Sequence, residues 1–247
     1  MNFLKNLISR KPDLTNAIKS FVTTDIHSHL IPNLDDGSQS MEETIGLIIG
    51  YKELGFTKLI TTPHIMSDYF QNTPEIILAG LEKVRQELRN KEIEMQIEAS
   101  AEYYMDENLL KRIENEGLLP FGNNYILIET STLNYPRIFK EVIFELRLNG
   151  FNPVLAHPER YSYFWNDPKL VNELRDSELL FQVNYLSLSG LYSPPIKKMA
   201  EKLIDDGMVD FIGSDVHEIR QLDYLAKSLE SSYIGKLSKL KLLNFTL

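Results

Sequence analysis

The stretch Val22-Thr-Thr-Asp-Ile-His-Ser-His29 ends a β-branched run with one carboxylate and two imidazoles. Side chains alternate along a strand, so residues at i, i+2 and i+4 share one face. We therefore expect Asp25, His27 and His29 to point into one space, with Ile26 on the other side. Such a strand end predicts metal ligation; the alternative is a solvated polar strand face.

The same kind of strand recurs along the chain, and the stretches between the strands have helical periodicity. The strand-like runs are Val22–Ile26, Lys58–Thr62, Met95–Ala99, Tyr125–Glu129, Pro153–His157, Leu180–Asn184 and Asp210–Ser214. Helices are predicted over Ser40–Leu54, Thr73–Asn90, Pro136–Asn149, Pro168–Arg175 and Pro194–Asp206. Parallel strands need a helical crossover. The repeats therefore predict an α/β fold, and seven of them favour a closed or nearly closed barrel over an open sheet.

The composition narrows the classes of function. The chain has 247 residues, a formal net charge of −9 and no cysteine, which excludes disulfides, thiolate metal sites and a cysteine nucleophile. The acidic balance disfavours binding to nucleic acid or to anionic membrane, and no apolar run reaches the roughly 18 residues of a membrane span. We expect a cytoplasmic protein. Residues 1–21 are predicted to form a helical N-terminal extension, either packed on the body or docked on a membrane surface or partner, and residues 22–247 a single domain.

The five histidines all lie at or just past predicted strand ends, which is where barrel enzymes carry their chemistry. His64 follows the second strand and His157 ends the fifth, before a proline. Asp215 and His217 repeat the i, i+2 arrangement after the last strand. We therefore expect these imidazoles to collect on one rim.

Carboxylates accompany the histidines. Glu102 follows the third predicted strand, and Glu129 ends the apolar run Tyr125–Glu129. A glutamate that finishes such a buried run is costly unless it is paired or bound to metal. Asp35 and Asp36 precede Gly37 in the first loop; spacing alone does not choose between a turn and a ligand, nor between the two aspartates. Imidazole and carboxylate ligands suit manganese, iron or zinc. Their number exceeds the needs of one ion and implies two or three.

Together these motifs resemble the PHP superfamily, named for polymerase and histidinol phosphatase, over about residues 22–230. Within it they are most similar to the bacterial capsule- and exopolysaccharide-type protein-tyrosine phosphatases. The matching strings are Asp25-Ile-His-Ser-His29, Asp35-Asp-Gly37, Thr62-Pro-His64, Ala101-Glu-Tyr-Tyr104, Leu127-Ile-Glu129, His157-Pro-Glu-Arg-Tyr161 and Ser214-Asp-Val-His217. The resemblance implies a distorted seven-stranded (β/α) barrel, TIM-barrel-like and of the PHP type.

The resemblance also implies roles for individual residues. It assigns two or three divalent ions, Mn²⁺ first with Fe or Zn as alternatives, to the ligands His27, His29, Asp36, His64, Glu102, Glu129, His157, Asp215 and His217. The candidate catalytic residues are Asp36, Arg160 and Arg220. Arg160 would bind the substrate phosphate with its planar fork. Arg220 would be a second phosphate-binding arginine at a shifted spacing; the alternative is an ordinary surface arginine.

The implied activity is hydrolysis of phosphotyrosine on a partner protein, a bacterial tyrosine kinase that controls capsule or exopolysaccharide synthesis. Two alternatives stay open: a small-molecule phosphatase such as histidinol phosphatase, and a non-catalytic regulatory scaffold with structural metals. After His64 some relatives carry basic residues, whereas this chain has Ile65-Met-Ser-Asp-Tyr-Phe70. The sequence does not indicate how this part of the rim recognises a substrate.

Overall fold

The computed structural model describes residues 23–115 and 117–247. The predicted N-terminal extension, residues 1–21, lies outside the described residues. In the described ranges every helix is too short or too polar to cross a lipid bilayer.

Within the described residues, nine short strands form two sheets in which all neighbouring strands are parallel. The smaller sheet has the order β1 (Thr24–Asp25), β2 (Lys58–Thr61), β4 (Gln96–Ala99). The larger sheet has the order β3 (His64–Ile65), β5 (Glu102–Tyr104), β6 (Tyr125–Glu129), β7 (Asn152–Ala156), β8 (Leu180–Asn184), β9 (Phe211–Gly213). The predicted α/β fold with parallel strands is thus confirmed, but seven predicted runs correspond to nine strands.

The two additional strands arise because two runs are interrupted near their carboxyl ends. Thr62 and Pro63 separate β2 from β3, and proline lacks the N–H that a sheet ladder needs. The backbones nevertheless stay paired: the Ser100 N–H donates to the Thr61 carbonyl at 2.9 Å, and the Glu102 N–H to the Pro63 carbonyl at 3.1 Å. The interruption lets the residues of β3 and β5 turn toward the site at this edge.

The helices begin where the sequence supplies caps. The Ser40 and Thr73 hydroxyls accept hydrogen bonds from backbone N–H groups in the first turns of α1 and α2, as N-cap residues do. The predicted helix at Pro136 begins instead at Phe139, after a turn. The helices are α1 (Met41–Glu53), α2 (Pro74–Asn90), α3 (Glu107–Asn115), α4 (Phe139–Leu148), α5 (Pro168–Asp176), α6 (Tyr185–Ser189), α7 (Pro194–Asp205), α8 (Gln221–Leu229) and α9 (Ser232–Leu237).

The sheets are apolar on both faces, as expected of parallel strands covered by helices. On β6, Ile126 and Ile128 join the large core beneath the helices, whereas Leu127 joins a smaller cluster that includes Phe211. Burial on both faces leaves the carboxyl ends of the strands as the place where polar side chains can gather.

Candidate metal centre

The structure brings the nine predicted ligands to one region at the carboxyl ends of the strands. Their nitrogen and oxygen atoms form overlapping groups in which all ligand atoms lie within 4.8 Å of one another. The groups are His29, Asp36, His64, His217; then His27, His29, Glu102, Asp215; and His64, Glu102, Glu129. His157 adjoins them through Glu102, because its Nε2 lies 3.0 Å from Glu102 Oε1.

Glu102 is the central carboxylate. It is fully buried, and its Oε2 lies 3.0 Å from His27 Nε2 and 3.3 Å from His64 Nδ1. Burial alone would raise the pKa of the Glu102 carboxyl, but the neighbouring imidazoles of His27 and His64 hold it well below its usual range. The strand register explains this position, since Glu102 pairs with His64 on one side and Leu127 on the other.

His27 and His29 are oriented by side-chain partners on their Nδ1 atoms, and His217 Nδ1 lies 3.0 Å from the Asp215 carbonyl oxygen. His27 Nδ1 lies 2.8 Å from the side-chain oxygen of Gln182, and His29 Nδ1 lies 2.7 Å from Asp35 Oδ2. With Nδ1 engaged in this way, the Nε2 atom is the one available to a metal. The two Nε2 atoms lie 3.4 Å apart, so both rings are aimed at the centre.

The two aspartates of the first loop, Asp35 and Asp36, differ in burial and in their contacts. Asp35 is buried and holds the His29 ring, and it also accepts the His64 backbone N–H at 2.9 Å. Asp36 is more exposed, and its Oδ1 lies 3.4 Å from His217 Nε2 and 3.6 Å from His64 Nε2. The structure therefore groups Asp36 with the ligand atoms and gives Asp35 a supporting contact.

The donor set fits divalent cations. His64 Nδ1 and Glu129 Oε1 are buried and 2.9 Å apart, yet neither makes a hydrogen bond with the described residues. The two atoms form a close ion-pair contact without hydrogen-bond geometry, and buried polar atoms without a hydrogen bond are uncommon and need an explanation. A cation bound between the imidazole and the carboxylate satisfies both, and manganese, iron and zinc all accept these two ligand types.

The backbone is unusual at two of these residues. His157 has φ of +35° and Asp215 has φ of +58°, a left-handed region that residues other than glycine seldom occupy. Asp215 is held there by its N–H, which donates to the His27 carbonyl at 2.7 Å. Strained residues of this kind cluster at functional sites, and here they turn the chain just where strands β7 and β9 end.

The prediction that Asp25 shares a site with His27 and His29 is wrong. Its two oxygens accept hydrogen bonds from the Ser214 N–H at 2.7 Å and the Ser214 hydroxyl at 2.8 Å. Strand β1 ends at Asp25, so the side-chain alternation that the prediction assumed does not extend from Asp25 to His27, whereas His27 and His29 do lie together. Burial raises the pKa of the Asp25 carboxyl to about 7, and its contacts tie β1 to the residue after β9.

Arg160 lies beside the ligand atoms. Its Nη1 donates to Asp215 Oδ2 at 2.9 Å, and its guanidinium lies 4.9 Å from the centre of the Tyr192 ring. A pocket of about 410 Å³ is lined by Arg160 and Tyr192 together with Asp36, Asp215 and His217. Its size falls in the range of about 300–1,000 Å³ that is usual for small-ligand sites.

Arg220 lies apart from this pocket. Its side chain is exposed and donates to both carboxylate oxygens of Glu218 at 3.0 Å. Glu218 lines the pocket and Arg220 is not among its lining residues. The phosphate-binding role of Arg220 stays a prediction.

Some neighbours of the ligands were not predicted. Gln182 contacts His27, Asn184 donates to Asp215 Oδ2 at 2.8 Å, and Tyr192 lies against Arg160. Gln182 and Asn184 are polar residues at i, i+2 that finish the apolar strand β8. They therefore show the same sequence pattern as Glu129, a polar residue at the end of an apolar strand. Tyr192, in the loop before α7, gave no such signal.

The chain is similar in sequence to known proteins. A family model for capsular polysaccharide synthesis, CpsB/CapC, matches residues 23–233. Tyrosine-protein phosphatase CpsB of Streptococcus pneumoniae is 28% identical over 201 residues, covering 79% of this chain and 83% of that protein. Tyrosine-protein phosphatase YwqE of Bacillus subtilis (strain 168) is 25% identical over 201 residues, covering 81% and 79%.

The fold is likewise similar to a solved structure. That structure comes from work on YwqE of Bacillus subtilis and CpsB of Streptococcus pneumoniae, described as unique metal-dependent tyrosine phosphatases. It matches with a TM-score of 0.78 at 24% identity, over 87% of this chain and 91% of that chain. The resemblance seen in the sequence motifs is thereby confirmed, and the chain belongs to the CpsB/CapC family of capsular polysaccharide synthesis proteins.

Proposed function

We propose that this protein is a metal-dependent protein-tyrosine phosphatase, a phosphoric monoester hydrolase. The observation that carries the proposal is the convergence of imidazole and carboxylate ligand atoms next to Arg160. A chain without cysteine has no cysteinyl-phosphate route, and a multi-metal site provides the alternative route to phosphate hydrolysis. The relatives CpsB and YwqE are named tyrosine-protein phosphatases.

The centre would hold two or three divalent ions, with Mn²⁺ as the first candidate and Fe or Zn as alternatives. The proposed ligands are His27, His29, Asp36, His64, Glu102, Glu129, His157, Asp215 and His217. When bound, such ions acidify water and offset phosphate charge. Support comes from the orientation of His27 by Gln182 and of His29 by Asp35.

Substrate binding and support of the leaving group would fall to other side chains of the protein. Arg160 would bind the phosphate of the substrate, because a guanidinium has five N–H donors and Asp215 engages one nitrogen only. Tyr192 supports the guanidinium from its ring face. Asp36, at the exposed rim, stands where substrate enters. A phenolate with a pKa near 10 leaves readily, so little general-acid assistance is needed. Arg220 is a second phosphate-binding candidate that must first release Glu218.

The proposed partner is a phosphotyrosine protein, in the first place a bacterial tyrosine kinase of capsule or exopolysaccharide synthesis, met in the cytoplasm. The description of the matching family supports the link to capsule synthesis.

We further interpret the two sheets as one distorted seven-unit barrel in a single domain over residues 22–247. In support, a parallel bridge joins Ser28 to Val216, next to the hydrogen bond from the Asp215 N–H to the His27 carbonyl. These contacts link the chain after the first strand to the chain after the last.

The test compares substrates on purified protein loaded with Mn²⁺. We expect release of phosphate from a phosphotyrosine peptide and from a simple aryl phosphate, and loss of both activities after chelation. Turnover of histidinol phosphate alone would favour the small-molecule phosphatase. Binding of a tyrosine kinase without hydrolysis of any aryl phosphate would favour the scaffold.

A further inference from the structure

A second pocket adjoins the metal centre on the side of His64. Its volume is about 230 Å³, and Phe70 forms part of its wall. The Phe70 ring also stacks on the His64 imidazole, with ring centroids 5.6 Å apart and an interplanar angle of 14°. The pocket and the centre are therefore separated by one aromatic side chain, close enough for a single peptide segment to contact both.

The lining of this pocket is cationic. Lys111 and Arg112 contribute to it, together with the polar side chains of Ser67, Gln71 and Asn108, and none of its described lining residues is acidic. This is the reverse of the chain as a whole, whose formal net charge is −9. The contact from Lys111 Nζ to Asn108 Oδ1, at 3.2 Å, uses one of three ammonium hydrogens.

The pocket on the other side of the centre has the opposite character. Besides Arg160, its lining includes Glu43, Glu218 and Asp36. The two pockets that flank the ligand atoms thus differ in charge, and a bound segment would meet cations on the His64 side and carboxylates on the Arg160 side. Complementary charge of this kind contributes to the choice of partner.

The walls of the cationic pocket are tied together. The Asp106 carboxylate accepts hydrogen bonds from the Ser67 N–H and hydroxyl on one wall. It also accepts the backbone N–H groups of Asn108 and Leu109 at the start of α3. The Gln71 side-chain amide closes the loop by donating to the Ser67 carbonyl at 3.0 Å. The Asp106 carboxylate thus links the two walls through neutral donors, and Lys111 stands on the helix that is anchored at this point.

We propose that this pocket binds the carboxylate side chain of an acidic residue that flanks the phosphotyrosine of the substrate. The proposal rests on the proposed function and adds a preference in substrate sequence to it. The loop after His64 supplies Ser67 and Phe70, and α3 supplies the positive charge. Ile65–Phe70 has no basic residue of its own, and Lys111 would provide the contact to the acidic side chain.

The test uses three phosphotyrosine peptides. One has Gln on both sides of the phosphotyrosine, and each of the other two replaces one of these residues by Glu; the better substrate of these two is called the Glu peptide. The quantity measured is the ratio of kcat/KM for the Glu peptide to that for the Gln peptide, with Mn²⁺-loaded protein at low salt. We expect a ratio of roughly five for the wild type, since exposed ion pairs contribute modestly. The ratio should fall toward one in Lys111→Ala and below one in Lys111→Glu.

A matched control is Lys91→Glu, which makes the same charge change at the C-cap of α2. This helix starts near the pocket residue Gln71 and extends about 25 Å to its end. Its ratio should equal that of the wild type. Equal kcat/KM values of the wild-type protein for the Glu and Gln peptides, or an unchanged ratio in Lys111→Glu, would overturn the inference. Neither result would contradict the phosphatase activity. Failure of the wild type to hydrolyse a simple aryl phosphate would instead overturn the proposed function, and this inference with it.

Discussion

Replacement of Gln182 by leucine tests whether the metal centre depends on the orientation of its histidines. Gln182 is fully buried and does not belong to the predicted ligands. Its oxygen lies 2.8 Å from His27 Nδ1, and its nitrogen donates to Asn184 Oδ1 at 2.8 Å. Leucine fills a similar space and makes neither contact. His27 then loses the partner that fixes its ring with Nε2 toward the centre.

Two effects follow from the loss of these contacts, one on metal affinity and one on the stability of the fold. Loss of a partner that orients a metal-bound histidine lowers metal affinity about 10- to 100-fold, or about 1.4–2.7 kcal/mol. In addition, each buried polar group left without a partner destabilises the fold by about 1–3 kcal/mol. The groups concerned are His27 Nδ1 and Asn184 Oδ1. We therefore expect a weaker metal site in a protein that is less stable but still folded.

The assay is calorimetric titration of metal-free protein with Mn²⁺, together with denaturant unfolding of the same samples. Gln182→Glu keeps an acceptor for His27 and should bind more tightly than Gln182→Leu. Gln96→Leu, at an exposed position on β4, should leave metal affinity unchanged. Wild-type affinity for Mn²⁺ in Gln182→Leu would refute the view that this contact aims His27 at the metal.

Three further substitutions test other parts of the site. His27→Ala should abolish phosphatase activity with the fold preserved by circular dichroism, and near-normal turnover at unchanged metal content would contradict the assigned ligands. Arg160→Ala should weaken competitive inhibition by inorganic phosphate about 10-fold or more, because charge-assisted hydrogen bonds contribute about 1.5–3 kcal/mol; an unchanged inhibition constant would remove Arg160 from phosphate binding. Gly37→Ala should lower both the melting temperature and the activity, because a Cβ there would lie 2.3 Å from His29 Cβ. A variant as stable and active as the wild type would show that the loop carrying Asp36 can shift freely.

The parts of the fold that follow from local chemistry were predictable from sequence. The caps at Ser40 and Thr73 mark helix starts because their hydroxyls bond to the next turn. Glu129 is selected because a carboxylate at the end of an apolar strand needs a partner. The split of the second strand run was not predicted, since Pro63 interrupts the ladder without ending the pairing of the backbone beyond it.

The parts of the site that depend on long-range contacts were not predictable. Spacing does not distinguish Asp35 from Asp36, because the difference is whether the carboxylate contacts His29 Nδ1 or approaches His217 Nε2. The orientation of the Asp25 side chain depends on its hydrogen bonds to Ser214, a residue far away in sequence. These bonds lie where the strand pairing of β1 stops. Period-two alternation describes a strand and fails where the strand ends.

The central claim is that hydrolysis of phosphotyrosine depends on metal held by the histidines and carboxylates of this centre. The most direct measurement is the initial rate of phosphate release from a phosphotyrosine peptide, followed as Mn²⁺ is added to metal-free protein, with bound metal counted by elemental analysis. The account predicts no activity without metal and full activity when two or three ions are bound per chain. Full activity in metal-free protein, or none in the fully loaded protein, would contradict it.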